Sequence, residues 1–163
     1  MSEDSKTEET ITFQSSRFGE FSVPKSTLIT FPEGIIGFPT DPDFVLLEHK
    51  PPFSWLHSVT NPDLAFVVVD GAEFGDNYRI PLPVGDSTTE YKENDEFAVL
   101  VIVTVRPDPS MTTANLKAPL FVNLKNRKGI QMVIDDASYS TRFPLWSEKN
   151  ESKQTSTEEK ESK

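Results

Sequence analysis

The chain has 163 residues, no cysteine and a formal net charge of −10 at pH 7. The length fits a single domain, and the lack of cysteine excludes disulfides, thiolate metal sites and cysteine nucleophiles. With no basic-then-apolar start and no apolar run long enough to span a bilayer, we expect a cytoplasmic protein that neither enters a membrane nor, given its acidity, binds nucleic acid directly.

Both ends of the chain are too polar to fold. Residues 1–10 and 147–163 hold no large apolar side chain except Met1, so they cannot offset the entropy lost on ordering. We expect a disordered N-terminal tail, a folded domain of residues 11–146 and a disordered, charged C-terminal tail. The tails carry charges of −3 and −1, so subtracting them from −10 leaves −6 on the folded domain.

Between the tails, β-branched and aromatic residues form short runs separated by turn residues, a pattern typical of strands. In chain order, the predicted strands are Ile11–Phe13, Gly19–Val23, Thr27–Phe31, Phe44–Glu48, Phe53–Thr60, Leu64–Asp70, Tyr78–Pro81, Phe97–Val105, Leu120–Leu124 and Ile130–Ile134. The continuous apolar runs Leu64–Asp70 and Phe97–Val105 indicate strands buried on both faces.

Helix signals are weak. One short helix is predicted near residues 86–93, where Asp86 or Ser87 is a suitable N-cap, and the thirteen prolines disfavour helix interiors elsewhere. The spacing of strands and turns therefore predicts an all-β fold, a barrel or a sandwich, in one compact domain with at most one short helix.

Few residues are suited to catalysis. The two histidines, His49 and His57, show no metal-ligand spacing, and alternation along Phe53–Thr60 indicates that His57 is a packing residue. We predict no catalytic, cofactor-binding or metal-binding residue, and a protein that binds other proteins rather than an enzyme. Two other classes stay open: a small β-barrel hydrolase that uses a carboxylate pair, and an acidic mimic of nucleic acid that occupies a basic groove.

Three stretches of the sequence carry a resemblance to a known family. They are Arg17–Glu20 with Ile29–Phe38, then Phe53–Phe66, then Thr104–Leu120. The sharpest elements are the Phe-Pro-x-Gly-x-x-Gly-Phe of residues 31–38 and the Thr-x-Asn-Leu-x-Ala-Pro of residues 113–119. In this order, and over about residues 11–145, they resemble the bacterial flagellar assembly factor family FliW.

The resemblance implies a compact, β-barrel-like fold and two protein partners, flagellin and the RNA-binding translational repressor CsrA. In that family the two partners compete, so export of flagellin frees the factor to relieve the repression of flagellin translation by CsrA. We therefore expect a monomeric flagellin chaperone and CsrA antagonist. Many members have glutamine at the position of His57, so no family role is carried over to it.

The local sequence also predicts how the motifs are used. Gly34 and Gly37 are expected to adopt positive φ in tight turns, with Phe31 and Phe38 anchored in the core. The partner surface is predicted at two turn-rich segments that flank strong strands. Its residues are Glu73, Asp76, Tyr78, Arg79, Val105, Arg106, Asp108, Thr113, Asn115 and Pro119.

Overall fold

The structure, a computed structural model, describes residues 9–145. Residues 1–8 of the expected N-terminal tail, Trp146 and the expected C-terminal tail lie outside the described residues, whereas Thr10, predicted to be in the tail, begins the first strand. The strands are β1 (Thr10–Ser15), β2 (Gly19–Pro24), β3 (Leu28–Thr30), β4 (Asp43–Glu48), β5 (Phe53–Ser58), β6 (Ala65–Asp70), β7 (Phe97–Thr104), β8 (Thr113–Ala114), β9 (Leu120–Asn123), β10 (Lys128–Gln131) and β11 (Phe143–Pro144). Three 3-10 helices span Lys25–Thr27, Gly71–Phe74 and Pro109–Met111.

Seven strands close a barrel in the order β7-β6-β5-β4-β3-β10-β9, and β9 pairs back to β7. All neighbours are antiparallel except β3 and β10. The short strands β8 and β11 extend the sheet from β7, while β1 and β2 form a separate hairpin. The prediction of an all-β, barrel-like fold is confirmed.

The core of the barrel follows from strand alternation, which sends successive side chains to opposite faces. One apolar cluster includes Leu56, Val68, Leu100 and Val122, with Phe31 and Phe44 in edge-to-face contact at 5.8 Å between ring centroids. The alternate positions of β6 and β7 face outward and form a second cluster. These two strands therefore pack on both faces, as their continuous apolar runs predict.

The sequence predicts β1 to β7 and β9 to within two residues at each end. The prediction for Ile130–Ile134 is displaced, because Arg127 adopts φ 63° and donates its backbone N–H to Asn123 O at 2.7 Å, which starts β10 at Lys128. The strand predicted at Tyr78–Pro81 is wrong. Pro81 ends that segment and has no backbone N–H to donate to a strand ladder, and the backbone groups of Tyr78 and Arg79 bond to Gly75 O and to Tyr139 Oη instead.

The helix predicted near residues 86–93 is also wrong, since the structure has a single capped turn there. Asp86 Oδ2 accepts the backbone N–H of Thr89 at 2.7 Å, and Glu90 N donates to Asp86 O at 2.8 Å. Glu90 then adopts φ 57°, outside the right-handed helical region. Asp86 is the cap that the sequence predicts, but the chain leaves the helix after one turn.

The glycine motif of residues 31–38 forms tight turns. Gly34 and Gly37 have φ of 76° and 94°, as predicted, and Phe31 is fully buried. The expectation that Phe38 is a core anchor is wrong, because its side chain is 36% exposed. Ile35 takes the buried position in this turn, and Phe38 packs edge-to-face on Phe66 with ring centroids 5.6 Å apart.

Candidate partner-binding surface

The second apolar cluster brings the two predicted partner segments together on the outer face of the barrel. Outward side chains of β6 and β7, among them Val69, Val101 and Val103, are covered by residues from three parts of the chain. The covering residues are Phe74, Tyr78, Leu116, Tyr139, Phe143 and Leu145. We call this layer the outer layer. It places residues 71–79 beside residues 113–116.

The segment of residues 71–79 is held in place at both ends. Asp70 Oδ1 accepts the backbone N–H of Ala72 at 2.8 Å and so caps the 3-10 helix that follows. At the other end, Tyr78 Oη donates to Leu116 O at 2.8 Å, and Tyr139 Oη accepts the backbone N–H of Arg79 at 2.8 Å. Glu73 and Asp76 are exposed between these points.

Tyr78 is the link between the two segments. Its ring lies edge-on to Tyr139, with centroids 5.0 Å apart, and also contacts Phe74. Burial, and to a lesser extent the neighbouring Tyr139, raises the pKa of the Tyr78 phenol well above its usual range. The phenol therefore stays protonated, as its hydrogen bond to Leu116 O requires.

The segment of residues 105–119 contains both exposed and structural residues. Val105 and Arg106 are exposed. Asp108 Oδ1 accepts the backbone N–H of Ser110 at 3.1 Å and its hydroxyl at 2.8 Å, which caps the 3-10 helix Pro109–Met111. Asp108 thus has a structural role besides any role in binding.

The shape of the Thr-x-Asn-Leu-x-Ala-Pro element has a local cause. Thr113 lies in β8 between Thr104 and Pro144. Asn115 Oδ1 accepts the backbone N–H groups of Lys117 at 3.2 Å and Ala118 at 3.0 Å, and Pro119 is buried. These side chains build the turn that presents the surface, and a direct contact with a partner stays a prediction for all ten residues.

The histidines lie away from this surface. His57 is buried, and its Nδ1 donates to Ser58 O at 2.7 Å, which leaves Nε2 to accept the Ser15 hydroxyl at 2.8 Å. This confirms His57 as a packing residue that joins the β1–β2 hairpin to β5. His49 is exposed beside Trp55, with ring centroids 5.5 Å apart.

Several carboxylates act as turn formers. Asp70, Asp86, Asp108 and Asp136 each accept a backbone N–H from two or three residues further along the chain. Hydrogen bonds from Ser138, first from its hydroxyl, lower the pKa of Asp136. Among residues 9–145, no three His, Asp or Glu side chains are grouped so that they could hold a metal ion.

Sequence reasoning missed that residues 139–145 help to build the outer layer. Tyr139 Oη, besides accepting from Arg79 N, donates to Asn77 O or Arg79 O at 3.1 and 3.0 Å, and Phe143 packs on Phe74. The available signal was the run of large apolar side chains at Tyr139, Phe143 and Leu145, which is too irregular to predict a strand.

No helix between residues 9 and 145 has the length and apolarity needed to cross a membrane.

Comparisons with known proteins agree on one family. The family model described as FliW protein matches residues 12–145. The flagellar assembly factor FliW of Geobacter sulfurreducens is 38% identical over 141 residues, which cover 85% of this chain and 88% of that relative. The FliW of Bdellovibrio bacteriovorus is 36% identical over 134 residues, covering 80% and 77%.

A solved structure extends this similarity to the fold. The crystal structure of a flagellar assembly factor FliW superposes with a TM-score of 0.76 and 31% sequence identity, and the match covers 85% of this chain and 99% of that one. The family model and these relatives span nearly all of the described residues. This chain therefore belongs to the FliW family.

Proposed function

We propose that this protein is a cytoplasmic flagellar assembly factor that binds flagellin as a chaperone and binds the RNA-binding repressor CsrA. By binding CsrA it antagonises the repression of flagellin translation. The observation that carries the proposal is the family match over residues 12–145, together with relatives named as flagellar assembly factors. The partners themselves follow from the resemblance of the motifs at residues 31–38 and 113–119.

The two segments that meet at the outer layer, residues 71–79 and 105–116, offer a suitable surface for CsrA. Five residues on these segments are exposed: Glu73, Asp76, Arg79, Val105 and Arg106. Hydrogen bonds hold the backbones of both segments in place. A rigid surface loses little entropy on binding. The acidic side chains would speed the encounter with a basic, RNA-binding protein.

The same residues favour a protein contact over mimicry of RNA. A nucleic-acid mimic presents repeated negative charges in place of phosphates. Here the positive side chains Arg79 and Arg106 and the apolar Val105 and Met111 lie on the same two segments as Glu73 and Asp76. We infer that CsrA is held away from its RNA-binding groove and is inhibited indirectly.

Isothermal titration of the full chain with purified flagellin and with purified CsrA, both from the same genome, tests the proposal. We expect saturable binding of each partner. The variant Glu73→Lys/Asp76→Lys should weaken binding of CsrA. The matched control is Glu20→Lys/Glu48→Lys, which changes two exposed acids outside the two segments, one on β2 and one on β4. Binding of neither partner by the unmodified chain would refute the proposal.

A further inference from the structure

An apolar groove lies on the barrel beside the outer layer. One wall is the segment after β6, which contributes Ala72, Ile80 and Leu82, and the floor and opposite wall come from Phe97 and Val99 of β7 and Leu124 after β9. The groove encloses about 640 Å³, within the range of sites that bury ligands.

The groove leaves several large apolar side chains partly exposed. Leu82, Phe97 and Leu124 remain 43%, 38% and 36% exposed. Three such side chains around one concavity form the kind of patch that marks an interaction site on a monomer. The groove shares Tyr78 and Arg79 with the predicted partner surface, but its other lining residues are mostly apolar, whereas half of the ten residues of that surface are charged.

The groove is already formed without an occupant. Phe97 is fixed by stacking on Phe121 at 5.3 Å and by edge-to-face contact with Tyr91 at 5.8 Å. On the other wall, Gly71 packs so closely on Val99 that a Cβ there would lie 3.0 Å from Val99 Cγ1. Since neither wall needs to be ordered on binding, burial of apolar surface would contribute directly to affinity.

Charges around the groove are predominantly negative. Asp70 lines it, Glu73 and Asp76 follow on the same wall, and Asp95 and Glu96 immediately precede Phe97. The positive side chains are fewer: Arg79 lines the groove, and Lys125 follows Leu124. The complementary occupant is thus a peptide segment with large apolar side chains flanked by lysine or arginine.

We propose that this groove binds an apolar, basic-flanked segment of flagellin, an inference that rests on the proposed chaperone function. A chaperone covers client side chains that are apolar and unpaired before assembly, and such side chains fit an apolar, preformed groove. The exposed charges of Glu73, Asp76 and Arg106 are left for CsrA.

The placement would also account for the competition between the two partners that the family resemblance implies. The segment of residues 71–79 contributes Gly71, Ala72, Gly75, Tyr78 and Arg79 to one wall of the groove, and it also carries Glu73 and Asp76 of the proposed CsrA surface. Flagellin in the groove therefore excludes CsrA by overlap at a shared wall.

The variant Leu82→Ser/Leu124→Ser tests the groove, because both side chains are partly exposed and their loss should leave the barrel folded. Its control is Ile36→Ser/Val133→Ser, which replaces two apolar side chains, each 65% exposed, that do not line the groove. Affinity for flagellin and for CsrA is measured by titration of the full chain, after melting curves have shown that both variants are folded.

In the groove variant, we expect the Kd for flagellin to rise roughly tenfold or more, as at an interface hot spot, and the Kd for CsrA to stay unchanged. In the control variant, we expect both Kd values to stay unchanged. Unchanged affinity for flagellin would overturn the groove assignment while leaving the proposed function in place. Equal loss of both partners would overturn the assignment of the groove to flagellin. Failure of the unmodified chain to bind flagellin would overturn both proposals.

Discussion

The turn at Gly34 provides a sharp test of the structural role of the Phe-Pro-x-Gly-x-x-Gly-Phe element. Gly34 has φ 76°, and a Cβ added to it would lie 2.6 Å from both Phe38 O and Pro39 Cα. Both neighbours are backbone atoms, so they cannot rotate away. The matched control is Gly19, which has φ 79° but would place an added Cβ with no heavy atom within 4 Å.

The two alanine substitutions should therefore differ by the steric effect alone. Gly19→Ala loses only the energy of holding alanine in the left-handed conformation, about 1–2 kcal/mol. Gly34→Ala loses the same amount and must also open a turn closed by the 2.6 Å hydrogen bond from Phe38 N to Ile35 O. That overpacking adds about 1–3 kcal/mol, so the total loss of unfolding free energy is about 2–5 kcal/mol.

Thermal melts followed by circular dichroism measure the difference. At roughly 3 °C per kcal/mol for a domain of this size, Gly19→Ala should lower Tm by a few degrees and Gly34→Ala by about 6–15 °C. If the two variants melt at the same temperature, then the close approach of the Phe38 and Pro39 backbones does not constrain this turn, and the structural role given to the motif is wrong.

Three further predictions follow from buried and charged groups. Phe66→Ala should cost more stability than Phe38→Ala in the same melts, about 3 kcal/mol against 1–2 kcal/mol, because Phe66 packs on the core and Phe38 is partly exposed; equal losses would contradict this ranking. Burial raises the pKa of the Tyr78 phenol in the folded state above its unfolded value of about 10. The contribution of this phenol to the free energy of unfolding is therefore complete below a pH of about 10 and is lost as the pH rises above that value. The free energy of unfolding, measured with urea, should thus decline less steeply with rising alkaline pH for Tyr78→Phe than for the unmodified chain. Identical slopes for the two proteins would count against the buried phenol. Glu73→Lys/Asp76→Lys should slow association with CsrA by roughly tenfold at low salt without moving Tm, and stopped-flow rates that do not change would place the contact elsewhere.

The strands that could be predicted from the sequence are those with local signals. β6 and β7 are long β-branched runs, and the polar run before Gly129 indicates the turn at Arg127. The two-residue strands β8 and β11 have no periodicity to read, because their pairing depends on contacts between distant parts of the chain. Closure through β9 and β7 is equally non-local.

The candidate site was predicted only in part, for the same reason. Exposed turn residues such as Glu73 and Asp76 stand out in the sequence, but the hydrogen bonds that join Tyr78 to Leu116 and Arg79 to Tyr139 connect residues that are 38 and 60 positions apart. Asn115 reads equally well as a contact or as a turn former, and its two hydrogen bonds to Lys117 and Ala118 give it the turn-forming role. The identity of the partners came from the resemblance and not from the chemistry of any one residue.

The most direct test of the central proposal is in vitro translation of the flagellin mRNA from the same genome, in the presence of purified CsrA. We expect CsrA to repress synthesis, this protein to relieve the repression, and added flagellin to restore it by displacing CsrA from the shared wall of residues 71–79. Repression that persists when this protein is added in excess, or relief that added flagellin does not reverse, would contradict the account.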